Sequence, residues 1–216
     1  MIRRRFLAFA LLALTASEAA AQPMTRTLRI AGKDARGKYD VSWLQLTERF
    51  PDAAVRARVN ADLEKEARSH ICLPNEGENL AAEFQMKVTY LSPHVLGVST
   101  FEFITCGGPN PSHGTRALLY DLRTGGRIEV EAEMAERRAF RRFVDGRVLA
   151  NQPRDPAECK DAYAVTTGYI YILKQRTLSV TQDYPNVIQA CAYETEIPHA
   201  DIIRFLRPTS ALRTLR

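Results

Sequence analysis

The sequence predicts an α+β domain with a largely antiparallel sheet, and three observations carry that class. Phe84, Met86, Val88 and Tyr90 alternate with Glu83, Gln85, Lys87 and Thr89, the period of a half-buried strand. Val55, Val59, Leu63, Ala67 and Ile71 recur every four residues, which makes one apolar helical stripe. Strand runs joined by short turns are interrupted by two helical stretches only, a pattern of the α+β class.

The elements follow in order. A short strand is expected at Thr27–Ile30, then a turn, then a strand through Tyr39, Val41, Trp43 and Leu44 to Thr47. Pro51-Asp52 starts the first helix, with Asp52 as N-cap. That helix stops near Cys72, just before Pro74. Ser92-Pro93-His94 turns the alternating strand into a second one, which carries Leu96, Val98, Phe101 and Phe103 to Cys106. Gly107-Gly108-Pro109-Asn110-Pro111 is a loop, because prolines cannot donate to a ladder. Arg116–Leu122 reads as a third strand, Thr124-Gly125-Gly126 as a tight turn and Arg127–Val130 as a short fourth strand. From Glu131 to Ala150 the period is helical again, with Phe140, Phe143, Val144 and Val148 on one stripe. Tyr169–Leu173 and Leu178–Val180 are strands by composition. A last short helix is expected at about Ala200–Leu206.

The chain has 216 residues, 45% of them apolar and 25% charged, with a net charge of +5. These values exclude a disordered chain, a collagen-like fibre and a polytopic membrane protein. Thirty basic against 25 acidic side chains is too even a balance for a nucleic-acid specialist. Arg3-Arg4-Arg5, the apolar run Phe6–Ala16 and Ala19-Ala20-Ala21 have the three-part pattern of a secretory signal peptide over residues 1–21. Its removal takes away Arg3, Arg4, Arg5 and Glu18, leaving a net charge of +3. The protein is therefore expected in the periplasm or outside the cell, not spanning the membrane after cleavage.

Export makes the four cysteines a disulfide framework. Cys72, Cys106, Cys159 and Cys191 stand 34, 53 and 32 residues apart, with no CxxC. Three pairings are open. Cys72–Cys106 with Cys159–Cys191 is favoured because each bridge then closes a loop within one half of the chain.

Several signals fall in one order: a proline-started helix with Asn60 in its middle, a hairpin leading into Cys106-Gly107-Gly108, then Tyr120-Asp121-Leu122-Arg123-Thr124-Gly125. Tyr184-Pro185 and Ile197-Pro198-His199-Ala200-Asp201-Ile202 come later. Over residues 38–207 this resembles the RsiV-like domain family of exported bacterial proteins. That family includes the extracellular domain of a lysozyme receptor that inhibits a sigma factor, and a domain attached to peptidoglycan deacetylases. The glycine loop departs from the family's pattern, since His113 follows the second glycine by five residues and not two. The resemblance implies a curved, mainly antiparallel sheet with two main helices packed on one face. It implies a binding or sensing domain of the cell envelope, not a catalyst. Its partner would be a lysozyme-like protein, peptidoglycan or another anionic envelope glycan, bound at Gly107, Gly108, His113, Tyr120 and Tyr184. Around this domain stand an N-terminal extension, 22–37, and a C-terminal tail, 208–216.

A second class of function rests on Ser112, His113 and Asp121, the residue types of a hydrolytic triad. No GxSxG elbow exposes the serine, and the competing reading is that Ser112 and His113 simply start a strand. His70, His94, His113 and His199 have no metal-ligand spacing, and no phosphate loop is present. No cofactor or metal is expected. Arg137/Arg141 and Arg138/Arg142 are i, i+4 pairs on the second helix. They meet an anionic surface, or form a solvated face balanced by Glu131, Glu133 and Glu136. Tyr163, Tyr169, Tyr171 and Tyr184 read either as a sugar-binding surface or as half-buried sheet residues.

Overall fold

A computed structural model describes residues 24–33, 37–71, 80–105, 111–153, 159, 168–184 and 191–215. The chain is of the α+β class. β1 (Thr25–Lys33), β2 (Gly37–Leu46), β3 (Leu80–Leu91), β4 (Val95–Thr105), β5 (Ser112–Asp121) and β6 (Gly126–Arg127) form a curved six-stranded sheet in that order. Every pairing in it is antiparallel except β2 with β3. That parallel pair needs a crossover, and α1 (Ala53–Arg68) lies within it. A second sheet of three strands is antiparallel throughout: β7 (Tyr169–Leu173), β8 (Thr177–Gln182) and β9 (Glu194–Pro198). α2 (Arg137–Ala150) and α3 (His199–Ile203) complete the set.

α1 starts where expected. The Asp52 side chain accepts a hydrogen bond from the Val55 amide at 2.9 Å, an N-cap. Val55, Val59, Leu63 and Ala67 are buried on Val41, Phe84, Met86, Leu96, Val98 and Leu118 of the large sheet. Each of the two valines and the leucine removed from water contributes about 1.5–3 kcal/mol. Asn60 ties helix to sheet: it accepts from the Leu46 amide at 2.7 Å and donates to the Leu46 carbonyl at 3.0 Å.

A second cluster lies beyond a bulge in β3. The register slips between Val88 and Tyr90, and one extra residue turns the following side chains to the other face. Tyr90 therefore leaves the α1 cluster and joins Val95 and Leu119 in a core shared with Phe140, Val144 and Val148 of α2 and with Leu173, Leu178, Val180 and Ile197 of the small sheet. Gly97 stands between Tyr90 and Leu119 across three strands. A Cβ there would lie 3.1 Å from Tyr90 Cβ and 3.3 Å from Leu119 Cδ2, which is why this row has glycine at its centre. The two helices thus serve two clusters.

The flanking segments are built in. Residues 25–33 of the N-terminal extension form β1, the edge of the large sheet. In the C-terminal tail, Ala211, Leu212 and Leu215 are buried in the second cluster. The Arg127–Val130 segment is shorter as a strand than expected. Its β part ends at Arg127, and a 3-10 turn over Val130–Glu133 precedes α2. Cys159 and Cys191 are bridged, with their Cα atoms 5.5 Å apart. Cys72, Cys106 and the leader 1–21 lie outside the described residues. Among the described residues no helix is long and apolar enough to cross a membrane.

Candidate functional site

The site is built from one violation of binary patterning in β4. Leu96 and Val98 face α1 and are buried, as alternation requires. Two residues on, the same face carries Thr100 and Glu102, both buried, while Phe101 and Phe103 point outward and are 45% and 39% exposed. A buried carboxylate and exposed phenylalanines in a central strand are the informative exceptions in a folded chain. The pairing register sets these side chains in rows on the open face. Glu83, Phe103 and His113 form one row, and Gln85, Phe101 and Thr115 the next. The four polar members are exposed. At the β2 side the platform runs into a hollow of about 640 Å³, lined among others by Lys33, Lys38, Tyr39, Asp40, Glu83 and Phe103.

Behind the platform, Glu102 is held by His70, whose Nδ1 lies 2.9 Å from its carboxylate. The His70 ring stacks on Phe84 at 4.2 Å between centroids. Arg116 approaches the same carboxylate at 3.6 Å. The hydrogen bond from His70, with the charge of Arg116, outweighs burial and keeps the Glu102 carboxyl below its ordinary range.

His70 lies just past the end of α1, in line with Asp62 and Glu66 at spacings of four residues. Glu66 lies 3.7 Å from His70 Nε2. Arg127 donates to Glu66 at 2.7 Å and to Asp62 at 2.6 Å. The Tyr120 hydroxyl donates to Asp62 at 2.8 Å. Burial works to raise Asp62, but the bonds from Arg127 and Tyr120 overcome it and hold the carboxyl low. Burial and the bond to Asp62 raise the Tyr120 phenol, so it stays protonated.

The residues singled out in the sequence fall in several places. Ser112 and His113 begin β5, and Asp121 ends it. Eight residues of strand separate His113 from Asp121 by about 26 Å, so the structure does not bring a triad together. Asp121 shapes the turn instead. It accepts from the Arg123 amide at 2.9 Å and from the Arg123 guanidinium at 2.7 Å, and the guanidinium bond holds its carboxyl low. The turn closes on Gly125, whose φ of 75° is open to glycine. His113 is exposed on the platform, whereas Tyr120 and Tyr184 are buried. Gly107, Gly108 and Tyr163 lie outside the described residues. Tyr169 and Tyr171 are bound to carboxylates, Asp145 and Glu131 respectively, each at 2.8 Å, and half-buried against the second cluster. Among the described residues no group of three or more His, Cys, Asp and Glu side chains is set to hold a metal ion.

In the sequence His70 is only one of four widely spaced histidines, and Glu102 belongs to no motif. A charged residue between two phenylalanines at Phe101-Glu102-Phe103 was the available signal, because alternation forces one kind inward and the other outward.

No protein-family model matches the chain, and no curated protein matches it. Solved structures do. A DUF3298 family protein from Pseudomonas aeruginosa PAO1 is similar with a TM-score of 0.63 at 13% identity, over 88% of this chain and 97% of that one. A member of the same family from Bacteroides fragilis NCTC 9343 is similar with a TM-score of 0.61 at 10% identity, over 89% and 96% of the two chains. The fold is that of DUF3298 family proteins. DUF3298 denotes a domain of unknown function, and at these identities the likeness is one of fold.

Proposed function

We propose that the protein is an exported binding domain of the cell envelope and that the open face of the large sheet holds its ligand. The observation that carries this reading is the inversion at β4. Two phenylalanines face solvent while the strand's inner face buries Glu102 against His70. Apolar rings between Glu83, Gln85, His113 and Thr115 supply what a polymer with apolar and hydroxylated faces needs, stacking area beside hydrogen-bonding groups. The leader-like residues 1–21, the bridge between Cys159 and Cys191 and the resemblance to RsiV-like domains support an envelope location.

Peptidoglycan is the preferred ligand. Many lysozymes are cationic, and a chain of net charge +3 after loss of its leader does not steer toward a cationic protein. The platform residues give hydrolysis no nucleophile paired with a base, so capture is the proposed role.

Co-sedimentation with purified peptidoglycan sacculi tests the reading. The native chain is expected in the pellet, and Phe101→Ala/Phe103→Ala is expected in the supernatant with an unchanged melting curve. Equal sedimentation of both proteins, or of neither, removes the platform as the binding surface.

A further inference from the structure

We propose that the outer face of α2 is a docking surface for an anionic lipid bilayer. This surface is separate from the sheet platform and does not depend on its reading. At 100° per residue, Arg138, Arg142, Gly146 and Leu149 fall within one arc of about 80°, opposite the buried Phe140, Val144 and Val148. Arg138, Arg142 and Gly146 are exposed, a Cβ added at Gly146 meets nothing within 4 Å, and Leu149 is 70% exposed.

Four carboxylates around this face are engaged by other partners, while Glu136, exposed at the N-cap of α2, lines the hollow beside Arg204. Glu131 accepts from Arg141 at 3.0 Å and from the Tyr171 hydroxyl. Asp145 accepts from the Tyr169 hydroxyl and from Arg141 at 3.3 Å. Glu133 accepts from Arg207 at 2.9 Å, and Asp201 from Arg147 at 2.8 Å. Among the described residues no ion pair reaches Arg138, Arg142 or Arg204. Arg204 lies over the Phe143 and Phe205 rings at 5.0 and 4.8 Å, beside a hollow of about 370 Å³ next to the stripe. Nor does Arg138, in the first turn, serve the helix. No acidic residue stands in its first turn, and cations there oppose the helix dipole.

Uncompensated cations in line with an exposed leucine fit a bilayer better than a soluble polyanion. The guanidinium groups meet lipid phosphates, and Leu149 enters the interface, where a glycan offers it nothing.

Sedimentation with phosphatidylglycerol–phosphatidylcholine vesicles, against phosphatidylcholine alone, tests this. The native chain binds the anionic vesicles and is released by salt. Arg138→Gln/Arg142→Gln lowers partitioning about 25-fold, at roughly 1 kcal/mol per arginine. Leu149→Ser weakens it further, while Arg49→Gln, on an exposed residue before α1, leaves it unchanged. All these substitutions are on exposed side chains, and an unchanged melting curve verifies the fold. No binding by the native chain, equal binding to neutral vesicles, equal binding by the double variant, or retention on dextran sulfate with none on vesicles each overturns the proposal.

Discussion

His70 and Glu102 set the energetics of the site at the scale of single residues. Both are buried, and each is the other's main partner. Removing one half of a buried hydrogen-bonded pair leaves the other half desolvated and unpaired, which costs about 1–3 kcal/mol and more for a charged group. His70→Ala is therefore expected to lower the unfolding free energy in urea by about 2 kcal/mol or more, with the stacking on Phe84 lost as well. Glu102→Gln keeps an acceptor for Nδ1 and is expected to cost about 1 kcal/mol. A His70→Ala chain as stable as the native one contradicts the pairing. The carboxylates give a pH signature with a definite sign. Glu102 and Asp62 ionise more readily folded than unfolded, with ordinary values of 4.5 and 3.8. Their stabilisation is complete above those values and is lost as pH falls through the lower folded ones. The melting temperature is expected to hold from about pH 7 to pH 5 and to fall below about pH 4.

At the scale of elements, the disulfide supports the small sheet. Cys159 and Cys191 enclose 32 residues of sequence separation, which include β7 and β8. In the chain-entropy model a loop of that length is worth about 3–4 kcal/mol. Cys159→Ser/Cys191→Ser is expected to melt well below the native chain, with loss of near-ultraviolet circular dichroism from the second cluster. A non-reducing peptide map is expected to contain the Cys159–Cys191 peptide and, by the proposed pairing, Cys72–Cys106.

Much of the element order is legible in the sequence because it is local. The stripe of α1, its Asp52 cap and the β3–β4 hairpin need only periodicity and turn chemistry. The faces are less legible, because alternation identifies a strand without naming its covered side. Leu96 and Val98 read together with Phe101 and Phe103 as one apolar run, yet they point to opposite faces. Tyr90 changes sides at a bulge that no residue type announces. His70 finds Glu102 across 32 residues of chain, with β3 and most of β4 between them, and no spacing rule reaches that far. β9 was missed because Glu194 and Glu196 interrupt its apolar signal. The structure binds both glutamates to Lys174.

At the scale of the whole molecule, the large sheet has one face under α1 and, opposite it, a face with Phe101 and Phe103 in solvent. The second cluster covers only the part of that face around Tyr90, Val95 and Leu119. The uncovered part is where the ligand is proposed to lie. Chemical-shift mapping with soluble peptidoglycan fragments tests it most directly. The amides of Glu83, Gln85, Phe101, Phe103, His113 and Thr115 are expected to move together on titration while those of α2 stay still. Saturating shifts confined to any other surface, or none on the platform at fragment excess, contradict it.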